Sequence, residues 1–214
     1  LSMSTQAIRS RENPNLELIA FHGHFATRHS HNSHYLDITR LKHEYSLAHD
    51  TACALANHYI YEKSIDTIIC MDGSEVIGAF LARQLAQKIL LSVNNNRSIC
   101  VVTPEYDSNG QLLFRENLIP MIHDKNALLL ISTVNSGKTA RRALDCIQYY
   151  GGKTQGIAAV FSAIPELDGI PVLSLFTPAD IRGYETYPTG KCRMCKAGQR
   201  IDALANSHGL STFR

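Results

Sequence analysis

Ala127-Leu-Leu-Leu-Ile-Ser-Thr-Val-Asn-Ser-Gly-Lys-Thr-Ala140 reads as a strand, a tight turn and the start of a helix. An unbroken apolar run ends in a short polar loop, residues 132–138, and an amphipathic pattern starts at Thr139. A continuous apolar run is what a strand buried on both faces requires, as in a parallel sheet. The loop and the periodicity after it predict a helix N-terminus immediately beyond the strand. Unpaired backbone N–H groups at such a turn make an anion site, and phosphate is its usual guest. Asn135, Ser136, Gly137, Lys138 and Thr139 are therefore the expected phosphate-binding residues. No acidic residue lies anywhere between Ala127 and Ala140.

Outward from this stretch the same alternation continues. Residues 46–63 predict a helix with Leu47, Thr51, Leu55 and Tyr59 on one stripe. Residues 65–71 are a β-branched run ending in Asp72-Gly73-Ser74, hence a strand and a loop, followed by a helix over 75–91. Residues 99–103 give another strand, and 104–124 are irregular, with a turn at 107–110. After the strand at 127–132 and the helix at 138–150, Gly151-Gly152 supplies a C-cap, and 154–161 and 172–176 are further strands. Strands alternating with helices imply βαβ crossovers, hence an α/β fold with a mostly parallel sheet and helices on both faces. Ligands in such folds sit at the carboxyl ends of the strands. That rule brings residues 72–75 and 132–138 to one edge.

With 214 residues the chain fits one large domain with small extensions. A net charge of +2 with 19% charged residues argues against nucleic-acid binding by bulk charge. No apolar run approaches the ~20 residues that span a bilayer, and the polar N-terminus does not read as a signal peptide. Four of the six cysteines (Cys53, Cys70, Cys100, Cys146) sit in apolar segments, as reduced thiols do in a cytoplasmic protein.

Residues 132–139 also approach the pattern G-x-x-x-x-G-K-[ST] of nucleotide-binding loops, which keeps an ATP-dependent enzyme as a remote alternative. Ser132 stands where the first glycine should let the backbone wrap the phosphates. A helix N-terminus with a Gly turn and a solvated lysine is the plainer reading of the same residues.

Several segments taken in order carry a resemblance. Phe21-His-Gly23-His24-Phe25, followed by His31-Asn-Ser-His-Tyr35-Leu-Asp37, resembles the N-terminal signature of orotate phosphoribosyltransferases. Residues 66–85 look like that family's pyrophosphate loop (Asp72, Gly73, Ser74, Glu75) and its following helix, and 104–117 fall where the family has a flexible hood. Residues 127–140 fall on its signature for phosphoribosyl pyrophosphate (PRPP), and 172–198 are similar to its C-terminal part. The resemblance implies a type I phosphoribosyltransferase-like parallel sheet flanked by helices, with a flexible hood, and commonly a homodimer. On this reading residues 1–20 are an N-terminal extension, 21–190 the phosphoribosyltransferase-like domain with its hood at 104–124, and 191–214 a C-terminal tail. It also implies attack of a nucleobase nitrogen on C1 of PRPP, with Mg²⁺ present and pyrophosphate leaving. Arg28, His31 and Tyr35 would lie on the base and anion side.

The sequence departs from that pattern at three places. The family carries two adjacent acids before the phosphate loop; here an ungapped match puts Ile131 and Ser132 there, and a one-residue deletion puts Ser132 and Thr133. The hood segment has Glu105 and Asp107 and no Lys or Arg before Arg115. Glu75-Val76 stand where relatives tend to have glycines. The expectation is a protein that binds PRPP or a nucleoside monophosphate with transfer activity weakened or lost. The alternative is an active transferase whose acid comes from Asp72 or Glu75, the two catalytic candidates.

Five histidines (His22, His24, His29, His31, His34) lie within thirteen residues, without the His-x-x-x-His spacing of a helical zinc motif. The plain expectation is that one or two line the site and the rest are solvated. Cys192-Arg-Met-Cys195 is half of a zinc site, no second Cys pair is present, and holding Zn²⁺ would need a histidine from elsewhere or a symmetry-related chain. A pair of reduced thiols in a C-terminal turn is the alternative.

Overall fold

The structure is a computed structural model that describes residues 4–87, 92–94, 97–206 and 209–213. Strands β1 (Thr5–Arg9), β2 (Glu17–Ala26) and β3 (Ser30–Asp37) precede helices α1 (Thr39–His43) and α2 (Tyr45–Ala56). Then follow β4 (Thr67–Met71), α3 (Glu75–Leu85), β5 (Cys100–Val102), the short β6 (Glu105–Tyr106) and β7 (Leu112–Leu113), β8 (Asn126–Val134) and α4 (Lys138–Tyr149). The chain ends with β9 (Lys153–Ser162), β10 (Glu166–Leu167), β11 (Ile170–Phe176), β12 (Thr186–Pro188), α5 (Arg193–Lys196), β13 (Ala203–Asn206) and β14 (Gly209–Thr212).

The central sheet has the order β10-β11-β9-β8-β4-β5. Its pairings are parallel except for the β10–β11 hairpin at one edge. Side chains alternate across it, so Leu128 and Leu130 of β8 enter one core with α2 and α3, while Leu129 and Ile131 enter the other with α4. Each buried leucine contributes about 1.5–3 kcal/mol, which is why an uninterrupted apolar run is stable only between two layers of helices. Helix α4 turns Ala140, Ala143, Leu144 and Ile147 onto the sheet and leaves Arg141, Asp145 and Gln148 outside.

A second sheet, order β12-β3-β2-β13-β14 with β1 also on β2, is built from the two ends of the chain. The stretches 1–20 and 191–214, set apart in sequence, both supply strands to it. Its inner residues Ile8, Leu18 and Ala20, with Leu16 just before β2, share a core with α2 and the central sheet. This sheet, more than residues 104–124, covers the carboxyl edge; β6 and β7 form a small hairpin beside it. Among the described residues no helix is long and apolar enough to cross a membrane.

Some boundaries differ from the sequence reading. The helix expected over 46–63 stops at Ala56 and continues as turns, because the buried Tyr59 sends its hydroxyl to the Ile157 carbonyl of β9 at 3.0 Å and anchors the chain there. The helix expected over 75–91 runs as helix to Leu85, and residues 88–91 lie outside the described part. Strand β8 extends through Val134, so the polar residues Ser132 and Thr133 belong to the strand and the loop is only 135–137.

Candidate functional site

The carboxyl ends of β4 and β8 face the second sheet across a cavity of about 240 Å³. Its floor is the turn into α4: Asn135, Ser136, Gly137, Lys138 and Thr139 all line it. Gly137 has φ +75°, the left-handed conformation that reverses the chain between strand and helix, and it is the N-cap residue of α4. The first N–H groups of α4 have no partner within the helix and carry its positive dipole end. With three residues between β8 and α4, this loop is shorter than a nucleotide-wrapping loop beginning at position 132 would be.

Basic side chains gather on the same space. Arg28 and His29 come from the β2–β3 turn, Lys42 from α1, and Lys138 and Arg142 from the first two turns of α4. Their proximity registers on His29, whose pKa is lowered first by burial and then by Lys138, Arg142 and Arg28. Asp72 is the only carboxylate lining the cavity among the described residues. The hairpin residue Tyr106 closes down from above; its pKa is raised first by burial and then by Asp72, against the opposing pull of Arg142 and Arg28. Gly110 of the same hairpin packs on Arg28, where an added Cβ would lie 3.4 Å from Nη2.

Two polar groups are committed to the framework. Asp72 has φ +58° and Gly73 φ +74°, so the chain after β4 turns through two left-handed residues. That turn is held by the Asp72 carbonyl, which accepts from the Ser132 hydroxyl at 2.9 Å and from Lys42 Nζ at 3.0 Å. Burial lowers the Lys42 pKa, while Asp72, Glu75 and Asp37 oppose that shift. Ser132, buried near the end of β8, is thus a clamp between β8 and the β4–α3 loop. Asn135 accepts a 2.7 Å hydrogen bond from the Tyr184 hydroxyl, and the Tyr184 ring stacks on His34.

The expected site residues divide accordingly. Arg28, Tyr35, Asp72 and residues 135–139 line one cavity. Glu75 does not reach it and accepts from the Thr103 hydroxyl at 3.2 Å; Ser74 is buried, donating to the Leu130 carbonyl. His31 does not line it either, lying on the opposite side of β3 from Asn32 and His34. It faces His24, Cys192 and Cys195 instead. The sequence reading omitted Arg142 and Tyr184. Arg142 was accessible through its i+4 spacing from Lys138, whereas Tyr184 arrives only through the fold.

No protein-family model and no curated protein matches this sequence. Solved structures do. A phosphoribosyltransferase from Corynebacterium diphtheriae superposes with TM-score 0.55 at 13% identity, covering 76% of this chain and 90% of that one. Orotate phosphoribosyltransferase of Mycobacterium tuberculosis H37Rv in complex with PRPP gives TM-score 0.50 at 16% identity, covering 69% and 82%. Adenine phosphoribosyltransferase of Trypanosoma brucei, in complex with AMP, pyrophosphate and ribose-5-phosphate, gives 0.50 at 9%, covering 71% and 73%. The parallel sheet with helices on both faces and these superpositions together establish the type I phosphoribosyltransferase fold for this chain.

Proposed function

We propose that this protein binds a phosphorylated ribose, PRPP or a nucleoside monophosphate, and that its capacity for phosphoribosyl transfer is weakened or lost. The observation that carries the reading is the convergence of the α4 N-terminus, Lys138, Arg142 and Arg28 on one cavity, with no acidic residue between Ala127 and Ala140. A phosphate placed on residues 135–139 would meet oriented N–H donors and two flanking cations. The ribose of the same ligand would lie toward Thr133 and Asp72. Transfer requires negative charge beside the developing oxocarbenium ion, and the loss of one such preorganised group costs about 10²–10³ in rate.

Mg²⁺ would enter with the ligand's own phosphates. Among the described residues Asp72 is the one cavity carboxylate to meet it, and the ion would supply charge neutralisation at the pyrophosphate. Asp72 also supports a second reading, an active transferase in which this residue replaces the absent pair. Homodimerisation belongs to the same proposal and is checked by light scattering.

Calorimetry with PRPP and Mg²⁺, nucleoside monophosphates, orotate and ATP, paired with a turnover assay, tests the proposal. Binding of a phosphorylated ribose without appreciable nucleotide formation is the expected result. Robust nucleotide synthesis from PRPP and a nucleobase, abolished by Asp72→Asn, would establish the second reading instead. Preferential ATP binding would overturn both.

A further inference from the structure

On the far side of β3 from the cavity, four side chains with metal-binding atoms meet. The Nε2 of His24, the Nδ1 of His31 and the sulfurs of Cys192 and Cys195 all lie within 4.8 Å of one another. His24 Nε2 is 3.0 Å from His31 Nδ1, 3.5 Å from Cys192 Sγ and 3.6 Å from Cys195 Sγ, and Cys195 Sγ is 3.3 Å from His31 Nδ1. A tetrahedral zinc ion with Zn–N ~2.0 Å and Zn–S ~2.3 Å spaces its ligands about 3.3 Å (N to N) and about 3.6 Å (N to S) apart. The four measured separations lie within a few tenths of an ångström of those edges.

Hydrogen bonding alone does not account for the arrangement. His24 Nδ1 lies 3.1 Å from the Gln199 carbonyl, which only accepts, so Nδ1 carries the proton and Nε2 offers a single lone pair. Three polar atoms crowd that one lone pair. A cation at their centre satisfies all four ligands at once, and the Nδ1–H to carbonyl contact is the outer bond that fixes a zinc-bound imidazole's tautomer. Two thiolates, two neutral imidazoles and Zn²⁺ sum to zero charge. Such a site sits beside the fully buried Phe25 and Ala203 without an uncompensated ion.

The surrounding chain is shaped to hold this cluster. A register shift between His22 and Phe25 marks a bulge in β2, which sets His24 diagonally across from His31 on one face of the hairpin. The His24 backbone N–H donates to Asp202 at 2.7 Å, and Asp202 N–H returns a bond to the His24 carbonyl at 2.8 Å. Gly23 leaves room for this pair, since a Cβ there would lie 2.8 Å from the Asp202 carboxylate. Across residues 189–200, Cys192 is the one buried side chain and Met194 is half-buried; the others are exposed. Ordering each residue's backbone costs about 1–2 kcal/mol, and this segment buries almost nothing apolar to offset that.

We propose that His24, His31, Cys192 and Cys195 form a closed structural zinc site that clasps the 189–202 segment to β2 and β3. The clasp leads directly into β13, which pairs in parallel with β2 and brings Ala205 and Asn206 to the cavity wall. All four positions are taken by protein ligands, so the site has no open position for substrate and serves the fold. It stands independently of the phosphate-binding proposal.

The test uses the full chain without a histidine tag, purified under reducing conditions. Elemental analysis should find about one zinc per chain, falling below about 0.1 in the Cys192→Ser/Cys195→Ser variant. Cobalt substitution should give the visible bands of tetrahedral Co²⁺ with a sulfur-to-metal charge-transfer band. Stripping zinc from the wild-type protein with a chelator should speed tryptic cleavage after Lys191, Arg193, Lys196 or Arg200 at least about tenfold, and added zinc should restore resistance. This arm needs no variant to fold. Substoichiometric zinc after reconstitution, a Cys192–Cys195 disulfide in place of metal, or cleavage indifferent to metal removal would each overturn the proposal.

Discussion

Gly137→Ala separates packing from backbone conformation at the floor of the cavity. Gly137 has φ +75°, and a Cβ added there would lie 2.9 Å from Leu167 Cδ1 and 3.0 Å from Ile164 Cδ1. A left-handed conformation costs an L-residue roughly 1–2 kcal/mol. Forcing a methyl group against two side chains at the edge of a packed core adds about 1–3 kcal/mol. The expected destabilisation is about 2–5 kcal/mol, a fall in Tm of about 4–20 °C for a chain of this size. Gly169→Ala is the internal control: Gly169 has φ +80° but no atom within 4 Å of the added Cβ, so only the conformational cost applies. Thermal and urea melts of both variants give the difference directly. Phosphate-ligand affinity of Gly137→Ala, measured well below its Tm, should also fall, because relief of the clash displaces the first turn of α4. Equal destabilisation of the two variants would refute the packing argument, and a wild-type Tm for Gly137→Ala would refute the whole account of this turn.

Lys138→Ala and Arg142→Ala should each weaken binding of a phosphorylated ribose by about 1–3 kcal/mol in calorimetry, since each removes a charge-assisted contact; an unchanged affinity removes that residue from the site. Ser132→Ala should cost about 0.5–1.5 kcal/mol in urea melts, the worth of one neutral hydrogen bond, with the Asp72 carbonyl still held by Lys42. A neutral result would mean that Ser132 does not clamp the loop. Alkaline titration reports the buried tyrosines. Burial raises the pKa of Tyr59 and Tyr184, so their contribution is fully present below the ordinary tyrosine value near ~10 and is lost as pH rises through the raised folded-state values. Tyr59→Phe should flatten that alkaline loss while costing about 1 kcal/mol at neutral pH for the bond to Ile157.

The central sheet was legible in the sequence because its signal is local. Residues 127–131 are apolar without interruption, and helix α4 alternates Ala143, Leu144 and Ile147 against Arg141, Asp145 and Gln148. Burial between two helical layers leaves little freedom for another reading. The turn into α4 was legible for the same reason, with Gly137 between strand and helix. The second sheet was not, since its strands join residues 5–37 to residues 186–212, and the histidine-rich pattern of β2 and β3 carries no clear alternation of apolar and polar residues.

By itself the sequence determined a parallel α/β core, a short turn presenting Gly137 and Lys138 at the carboxyl edge, and the absence of an acidic pair there. Tertiary structure decided what those residues do. It made Ser132 a clamp on the Asp72 carbonyl, because strands β4 and β8 lie side by side in register. It brought Arg28, Lys42 and Arg142 to one cavity from three separate elements. It also split the histidines: His34 lines the cavity, while His24 and His31 point to Cys192 and Cys195. The physical reason is common to all three. Local pattern fixes which face of an element is buried, but the register of a hairpin and the pairing of distant strands fix which side chains meet, and those depend on contacts far apart in the chain, 60 residues for Ser132 and Asp72 and 168 for His24 and Cys192.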